Sequence, residues 1–282
     1  MKVALIDNGS LEPAAQRNLR AVAAGLAANA GVPVAAVSWM HSDRVPAAEL
    51  DGTPAWTLAP WVRAQVAGGE RQFVFVPFFV SAQGAIGSTL QSDLKAMAGE
   101  TGGFAFGFTD SLASLTNGPR SALAEIVAAR VRETIAEKAL TRPAVIVVDH
   151  GGPARASADL RNRVAAEARG ALGAAIGALA AASMESPHGP EFTFNRPLLE
   201  DQLAAPGFER GDVVIAPLFL SPGRHAGAGG DLARIAGAAE TRSPGLRCHF
   251  AGLAGTHPFA VRFLGEGLKR ALEDGQFADR GN

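Results

Sequence analysis

Two segments of this chain occur twice, and their spacing constrains its fold more than any other feature. Val3-Ala4-Leu5-Ile6-Asp7-Asn8-Gly9-Ser10 returns as Val145-Ile146-Val147-Val148-Asp149-His150-Gly151-Gly152, an offset of 142 from Asn8 to His150. Val74-Phe75-Val76-Pro77-Phe78-Phe79-Val80-Ser81 returns as Val214-Ile215-Ala216-Pro217-Leu218-Phe219-Leu220-Ser221, an offset of 140 from Pro77 to Pro217. Generic strand composition does not produce two separate matches at nearly one offset, so the chain is a duplication. All four segments are apolar, β-branched runs of the kind that fill a parallel sheet buried on both faces.

Each half predicts strands alternating with helices. Strands are expected near 2–7, 33–38, 72–77 and 103–108, and again near 144–149, 179–184, 212–217 and 247–252. Ala/Leu-rich helical patterns fall near 13–29, 118–139, 155–176 and 257–273; the alanine-rich 164–182 stretch leaves open whether its strand belongs to a helix. Such alternation implies an α/β fold with parallel sheets and right-handed crossovers. Domains are expected at 1–140 and 141–282, joined near Ala139 to Pro143, where the proline should end the preceding helix.

Charge and cysteine usage narrow the function classes. Lys+Arg of 26 against Asp+Glu of 27 leaves a net charge of -1, which gives no global footprint for nucleic acid or a membrane surface. Any charged ligand must be recognised locally. The single cysteine, Cys248, excludes an internal disulfide and a four-thiolate cluster within one chain. Met1 to Gly9 reads as a strand rather than a signal peptide, and no stretch has transmembrane length, so a cytoplasmic location is expected.

The two copies differ where chemistry would sit. Ligand sites in open α/β sheets lie at the carboxyl ends of the strands. There the second half carries His150 and His225, and the first half carries Asn8 and, in an ungapped match, Ala85. Metal ligation or proton transfer near neutral pH needs an imidazole, which an amide or a methyl cannot replace. The first half therefore reads as chemically silent.

A strand ending in His150-Gly151, the segment Ser183-Met184-Glu185-Ser186-Pro187, and Pro217-Leu218-Phe219-Leu220-Ser221-Pro222-Gly223-Arg224-His225 together resemble the class II tetrapyrrole chelatases, which include the sirohydrochlorin cobalto- and ferrochelatases. The likeness covers residues 143–260 in detail and the first half only as scaffold. It implies two tandem flavodoxin-like lobes enclosing a cleft, and insertion of Co²⁺ or Fe²⁺ into a sirohydrochlorin-like tetrapyrrole of cobalamin or siroheme biosynthesis, without ATP. The metal is then a substrate, and no prosthetic group is expected. Carried over by motif, His150 and His225 match the family's metal-facing histidines and Glu185 its acidic ligand. Two departures stand out. Gly152 occupies the place of the family's usual serine, and Ala226-Gly227-Ala228-Gly229-Gly230 delays the aspartate that follows the second histidine until Asp231.

The chemistry of these residue types agrees with that assignment. Two nitrogens and one carboxylate with open positions hold a divalent ion firmly enough to strip water and loosely enough to pass it on. Two pyrrole protons leave as the metal enters, and His150 or His225, assisted by Glu185, can accept them. A polycarboxylate substrate calls for exposed arginines, for which Arg155, Arg196 and Arg224 are the candidates. Other residues read as structural. His188 is a loop residue, His249 lies within a strand, His257 caps the last helix, and His41, at a place roughly equivalent to Glu185 in the first copy, is a relic. Gly227 to Gly230 lacks the lysine and spacing of a phosphate loop, and Ser10, Ser81 and Ser221 have no nucleophile-elbow context. The rival to an enzyme is a non-catalytic tetrapyrrole or metal carrier on the same fold, with a homo-oligomer open in either case; turnover separates the two.

Overall fold

The computed structural model describes residues 1–80, 85–227 and 229–274; Ser81 and Ala228 lie outside them. It divides into two compact units, Met1–Leu115 with Pro258–Asn282, and Thr116–His257.

The first unit runs β1 (Lys2–Asp7), α1 (Pro13–Ala30), β2 (Val34–Ser38), β3 (Trp56–Thr57), α2 (Leu58–Ala67), β4 (Gln72–Pro77), α3 (Ala85–Glu100) and β5 (Ala105–Phe108). Its strands form a parallel sheet in the order β3-β2-β1-β4-β5. β1 and β4 are central and almost wholly buried, because both sheet faces are covered. Trp61 from α2 packs edge-on to Phe73 and Phe75 of β4, with ring centroids 5.7 and 6.3 Å away. Each such buried large side chain contributes about 1.5–3 kcal/mol before the entropic cost of ordering it. α1 starts with Pro13 and stops at Gly31, whose φ of 70° is the left-handed cap that closes a helix on the Ala27 carbonyl.

The second unit opens with a short antiparallel hairpin, β6 (Thr116–Asn117) and β7 (Arg120–Ser121), followed by α4 (Ala122–Glu137), β8 (Ala144–Asp149), α5 (Arg155–Leu172), β9 (Leu179–Ser183), α6 (Leu199–Gln202), β10 (Gly211–Pro217), α7 (Asp231–Arg242) and β11 (Leu246–Phe250). Its parallel sheet runs β11-β10-β8-β9. Reversed, that is the order of β2, β1, β4 and β5, so the two units share one topology, the flavodoxin-like order with the first and third strands adjacent. Ile146, Val148, Val213 and Ile215 form its core with Leu199, Leu203 and Leu232.

The helix after β11, α8 (Pro258–Glu273), packs on α1 and belongs to the first unit, whereas α4 packs on α5 and β10 in the second. The compact units thus differ from the sequence halves 1–140 and 141–282: each half contributes its last helix to the other unit. Hydrophobic periodicity marks these segments as helices but carries no information on which sheet they cover. The alanine-rich stretch resolves as helix to Leu172, a turn, and a separate strand from Leu179. No helix of the described residues is long and apolar enough to cross a membrane.

Candidate functional site

The parallel ladder of β8 and β9 continues one step past both strands. Met184 N–H donates to the Asp149 carbonyl (2.8 Å) and Glu185 N–H to the His150 carbonyl (3.0 Å). His150 and Glu185 are therefore neighbours by main-chain geometry, and His150 Nε2 lies 3.6 Å from Glu185 Oε1. The approach requires a glycine at 151. Its φ is +84°, and a Cβ there would stand 1.8 Å from the Glu185 carbonyl oxygen. On the other side of β8, β10 ends at Pro217 and the chain turns to His225, whose ring meets that of His150 edge to face at a centroid distance of 4.6 Å. The structure thus brings His150, His225 and Glu185 together within one unit.

Each imidazole is held by its Nδ1. His225 Nδ1 lies 2.6 Å from Asp231 Oδ2, and His150 Nδ1 lies 2.9 Å from the Gly151 carbonyl oxygen. A carbonyl and an ionised carboxylate only accept, so Nδ1 carries a proton in both rings and donates it, and in the neutral imidazole the lone pair is then the one on Nε2. The His225 hydrogen bond, with Arg234 beside it, holds the Asp231 carboxyl below the usual carboxylate range. Asp231 is the first residue of α7, and a fold of the glycine-rich run brings it back to His225: Gly227 N–H donates to the Gly223 carbonyl and Leu232 N–H to the His225 carbonyl. Phe219 stacks along His225 at 6.4 Å. The side chains stay accessible, with Glu185 60% exposed. Among the described residues no group of three or more His, Cys, Asp or Glu side chains already forms a metal-holding array. The three approach one another without making a finished coordination shell.

The candidate substrate-binding arginines are all exposed. Arg224 Nε lies 3.9 Å from Asp231, beside His225. Arg155 opens α5 with its guanidinium 5.0 Å over the Phe194 ring, and Arg196 pairs with Asp201 at 2.7 Å. Arg196 also lines, with Ser186, His188 and Phe192, a cavity of about 300 Å³ beyond Glu185. Of the remaining histidines, His249 Nε2 meets Asp212 at 2.8 Å across β10 and β11, and buried His257 lies 3.2 Å from Glu133.

Beneath the site lies a polar layer that motif reading does not isolate. Asp149 and Ser183, the last residues of β8 and β9, are hydrogen bonded at 2.6 Å, and Arg161, 1% exposed, reaches both from α5. Burial raises the Asp149 carboxyl while Ser183 and Arg161 lower it, with burial prevailing. The first unit repeats the pair as Asp7 and Ser38, also at 2.6 Å, but there the neutral Gln16 amide stands in for the guanidinium. Without a cation, burial pushes the Asp7 carboxyl up to about 6. The signal for Asp149 was present in the sequence, since the duplicated strands both end in Asp. In the first unit, Met40 takes the place of Glu185: its N–H donates to the Asn8 carbonyl (3.3 Å), and a Cβ on Gly9 would lie 1.7 Å from its carbonyl oxygen. His41, expected at that place, is one residue further and bonded to Arg44. The rough equivalence is thus refined by one residue, because the ladder fixes Met40 as the residue that stands opposite Asn8.

The chain thus holds two parallel α/β units of one topology, one of them with paired histidines and an acid at the carboxyl edge of its sheet. Residues 144–271 match the CbiX family. That match spans a little under half of the chain, and the whole chain shares its fold with solved chelatases. Among solved structures it is similar to SirB from Bacillus subtilis with Fe³⁺, at 15% identity and a TM-score of 0.66, covering 98% of this chain and 99% of that one. The sirohydrochlorin chelatase SirB from Bacillus subtilis subspecies spizizenii in complex with cobalt gives 15% identity and 0.64 over the same shares. CbiX, the terminal enzyme for biosynthesis of siroheme in denitrifying bacteria, gives 18% identity and 0.61 over 96% of this chain and 99% of that one. No curated protein sequence matches the chain.

Proposed function

We propose that this protein is a sirohydrochlorin chelatase that inserts Co²⁺ or Fe²⁺ into the tetrapyrrole, a step of siroheme or cobalamin formation. The observation that carries the reading is the convergence of His150, His225 and Glu185 in one unit, with Nε2 of His150 3.6 Å from Glu185 Oε1 and the imidazoles in edge-to-face contact. Two ligand atoms on one tetrahedral ion with bonds of about 2.1 Å stand about 3.4 Å apart, close to the separation found here. The family match and the metal-bound relatives support the same reading.

The incoming ion exchanges water for the Nε2 lone pairs and the carboxylate, and the Nδ1 hydrogen bonds keep those lone pairs aimed outward. Few ligands and open positions leave the ion transferable. As it enters the ring, two pyrrole N–H bonds break and the metal takes their place on nitrogen. The two protons pass to the histidine and carboxylate lone pairs that the ion frees as it moves onto the pyrrole nitrogens, and from there to water. Arg224, Arg155 and Arg196 supply cations for a substrate rich in carboxylates.

Metallation of sirohydrochlorin, followed by absorbance with Co²⁺ and anaerobically with Fe²⁺ and corrected for the uncatalysed rate, tests the proposal. The wild-type chain is expected to exceed the background rate and His150→Ala and His225→Ala to fall close to it, each still folded by circular dichroism. Saturable metal binding with no turnover for either ion would reassign the protein as a carrier.

A further inference from the structure

Asn195 is 1% exposed and commits its whole side chain to the two loops that carry His150 and Glu185. Its Oδ1 accepts the Gly152 N–H (3.2 Å), and its Nδ2 donates to the Gly152 carbonyl (2.9 Å), to Ser186 Oγ (3.4 Å) and to the Phe192 carbonyl (3.2 Å). Gly152 is two residues past His150, and Ser186 directly follows Glu185. Arg161, which already anchors Asp149 and Ser183 below, donates to the Asn195 main-chain carbonyl at 3.4 Å. One buried amide thus ties the exits of β8 and β9 to each other and to the layer beneath.

The first unit makes the same connection with different chemistry. There Ser10 stands in the place of Gly152, and the buried Ser42 hydroxyl accepts the Ser10 N–H (3.0 Å) and donates to the Ser10 carbonyl (3.1 Å). Gln16 Nε2 donates to it as well, which uses its remaining lone pair. Ser42 comes two residues after Met40, whereas Asn195 comes ten after Glu185, from the Pro190–Asn195 turn. A grip on both main-chain groups at this position is thus built twice from unrelated residues, once in the unit whose strand ends in Asn8 where the other has His150.

We propose that Asn195 is a positioning residue of the metal site, fixing the His150 to Glu185 spacing on which capture of the ion depends. The inference rests on the reading that these two side chains take the metal. The Glu185 to His150 main-chain bond sets the two residues side by side, it is the last step of the ladder, and both side chains are accessible, so the Asn195 clamp on Gly152 and Ser186 is what steadies that bond from the far side. Removing Asn195 unties Gly152 from Ser186 and lets the two ligands separate, which weakens the hold on the ion without deleting a ligand. Partners that orient metal ligands commonly carry about 10- to 100-fold in affinity or activity.

The test uses Co²⁺ alone as a visible-absorbance probe of the full-length chain, together with the metal KM of sirohydrochlorin metallation. His150→Ala is expected to abolish saturable Co²⁺ binding. Asn195→Ala is expected to weaken it about tenfold or more, alter the d–d spectrum and raise the metal KM, while circular dichroism and melting confirm a folded chain at the assay temperature. Asn195→Asp keeps the acceptor for Gly152 N–H but sets a second acceptor against the Gly152 and Phe192 carbonyls, so it should weaken Co²⁺ binding at least as much. Should Asn195→Ala not fold, the nearly isosteric Asn195→Asp decides by the same readouts. A folded variant that melts lower but keeps wild-type Co²⁺ affinity, spectrum and metal KM overturns the positioning role and leaves the proposed function standing. Co²⁺ binding unchanged in His150→Ala overturns both.

Discussion

His225 presents its Nδ1 to Asp231 Oδ2 at 2.6 Å, across a glycine-rich turn that separates the two residues by six positions. The pair fixes the His225 ring where it meets that of His150, and it sits where α7 begins, so one carboxylate serves both an imidazole and a helix N-terminus. These two services differ in size, which makes them separable by substitution.

Asp231→Asn should lower metal insertion about tenfold or more, because a neutral amide orients the imidazole less firmly than a carboxylate. Its cost to folding should be small, because an acid in the first turn of a helix interacts only weakly with the helix dipole and is screened by salt. Steady-state metallation and urea melts of the same preparation check this. Equal activity of variant and wild type would confine Asp231 to α7.

Asn8→Ala should change little. Asn8 occupies in the first unit the place of His150, is exposed, and faces Met40 rather than an acid. Activity close to wild type and stability within about 0.5 kcal/mol are expected. A loss as deep as that of His150→Ala would move chemistry into the first unit.

Asp7 gives a pH dependence unrelated to the site. Burial raises its carboxyl from the usual 3.8 to about 6, so between those values the folded chain binds more proton than the unfolded one. Stability from Asp7 is therefore fully present below about pH 3.8 and is lost as pH rises through about 6, on the order of 3 kcal/mol in all. In Asp7→Asn the amide oxygen can still accept from Ser38 and Gly9. The variant should melt above wild type at pH 7.5 and near it at pH 4. The same melting difference at both values would show that Asp7 does not titrate in this range.

The parts of this fold legible in the sequence are those governed by local pattern. β1, β4 and β8 fall at 2–7, 72–77 and 144–149 as expected, because strands buried on both faces read as uninterrupted apolar runs. α2 carries Leu58, Trp61, Val62 and Val66 at helical spacing, yet Pro60 and the short span hide it. The exchange of α4 and α8 between units has no local signature at all. At the site, His150 and His225 stand out through the contrast with Asn8 and Ala85, a comparison made possible by the duplication. Arg161 does not: the helical pattern of α5 places an arginine in solvent, and only the buried Asp149 and Ser183 draw it inward. Asn195 acts on Gly152 from 43 residues away, a contact created by folding alone.

Gly151 and Gly152 are adjacent and should respond to substitution in opposite ways. A Cβ on Gly151 would meet the Glu185 carbonyl oxygen at 1.8 Å and Ser183 Cβ at 3.1 Å, from a φ of +84° that L side chains rarely adopt. The chain can relieve that overlap only by driving the β9 exit away from β8, which breaks the Glu185 to His150 main-chain bond and parts the two candidate ligands. Gly151→Ala should therefore cost both stability and metal insertion. Gly9→Ala meets the Met40 carbonyl oxygen at 1.7 Å and should match the first loss without the second when assayed well below its melting temperature. At Gly152, by contrast, a Cβ would find no atom within 4 Å, and the bonds to Asn195 use only main-chain atoms of the glycine. Gly152→Ser, which restores the His-Gly-Ser pattern of the resembled family, should stay within about 0.5 kcal/mol of wild type and keep its activity. Melting curves and metallation rates of the three variants decide the matter: wild-type behaviour of Gly151→Ala would mean that the β8 and β9 exits do not hold this close approach in solution.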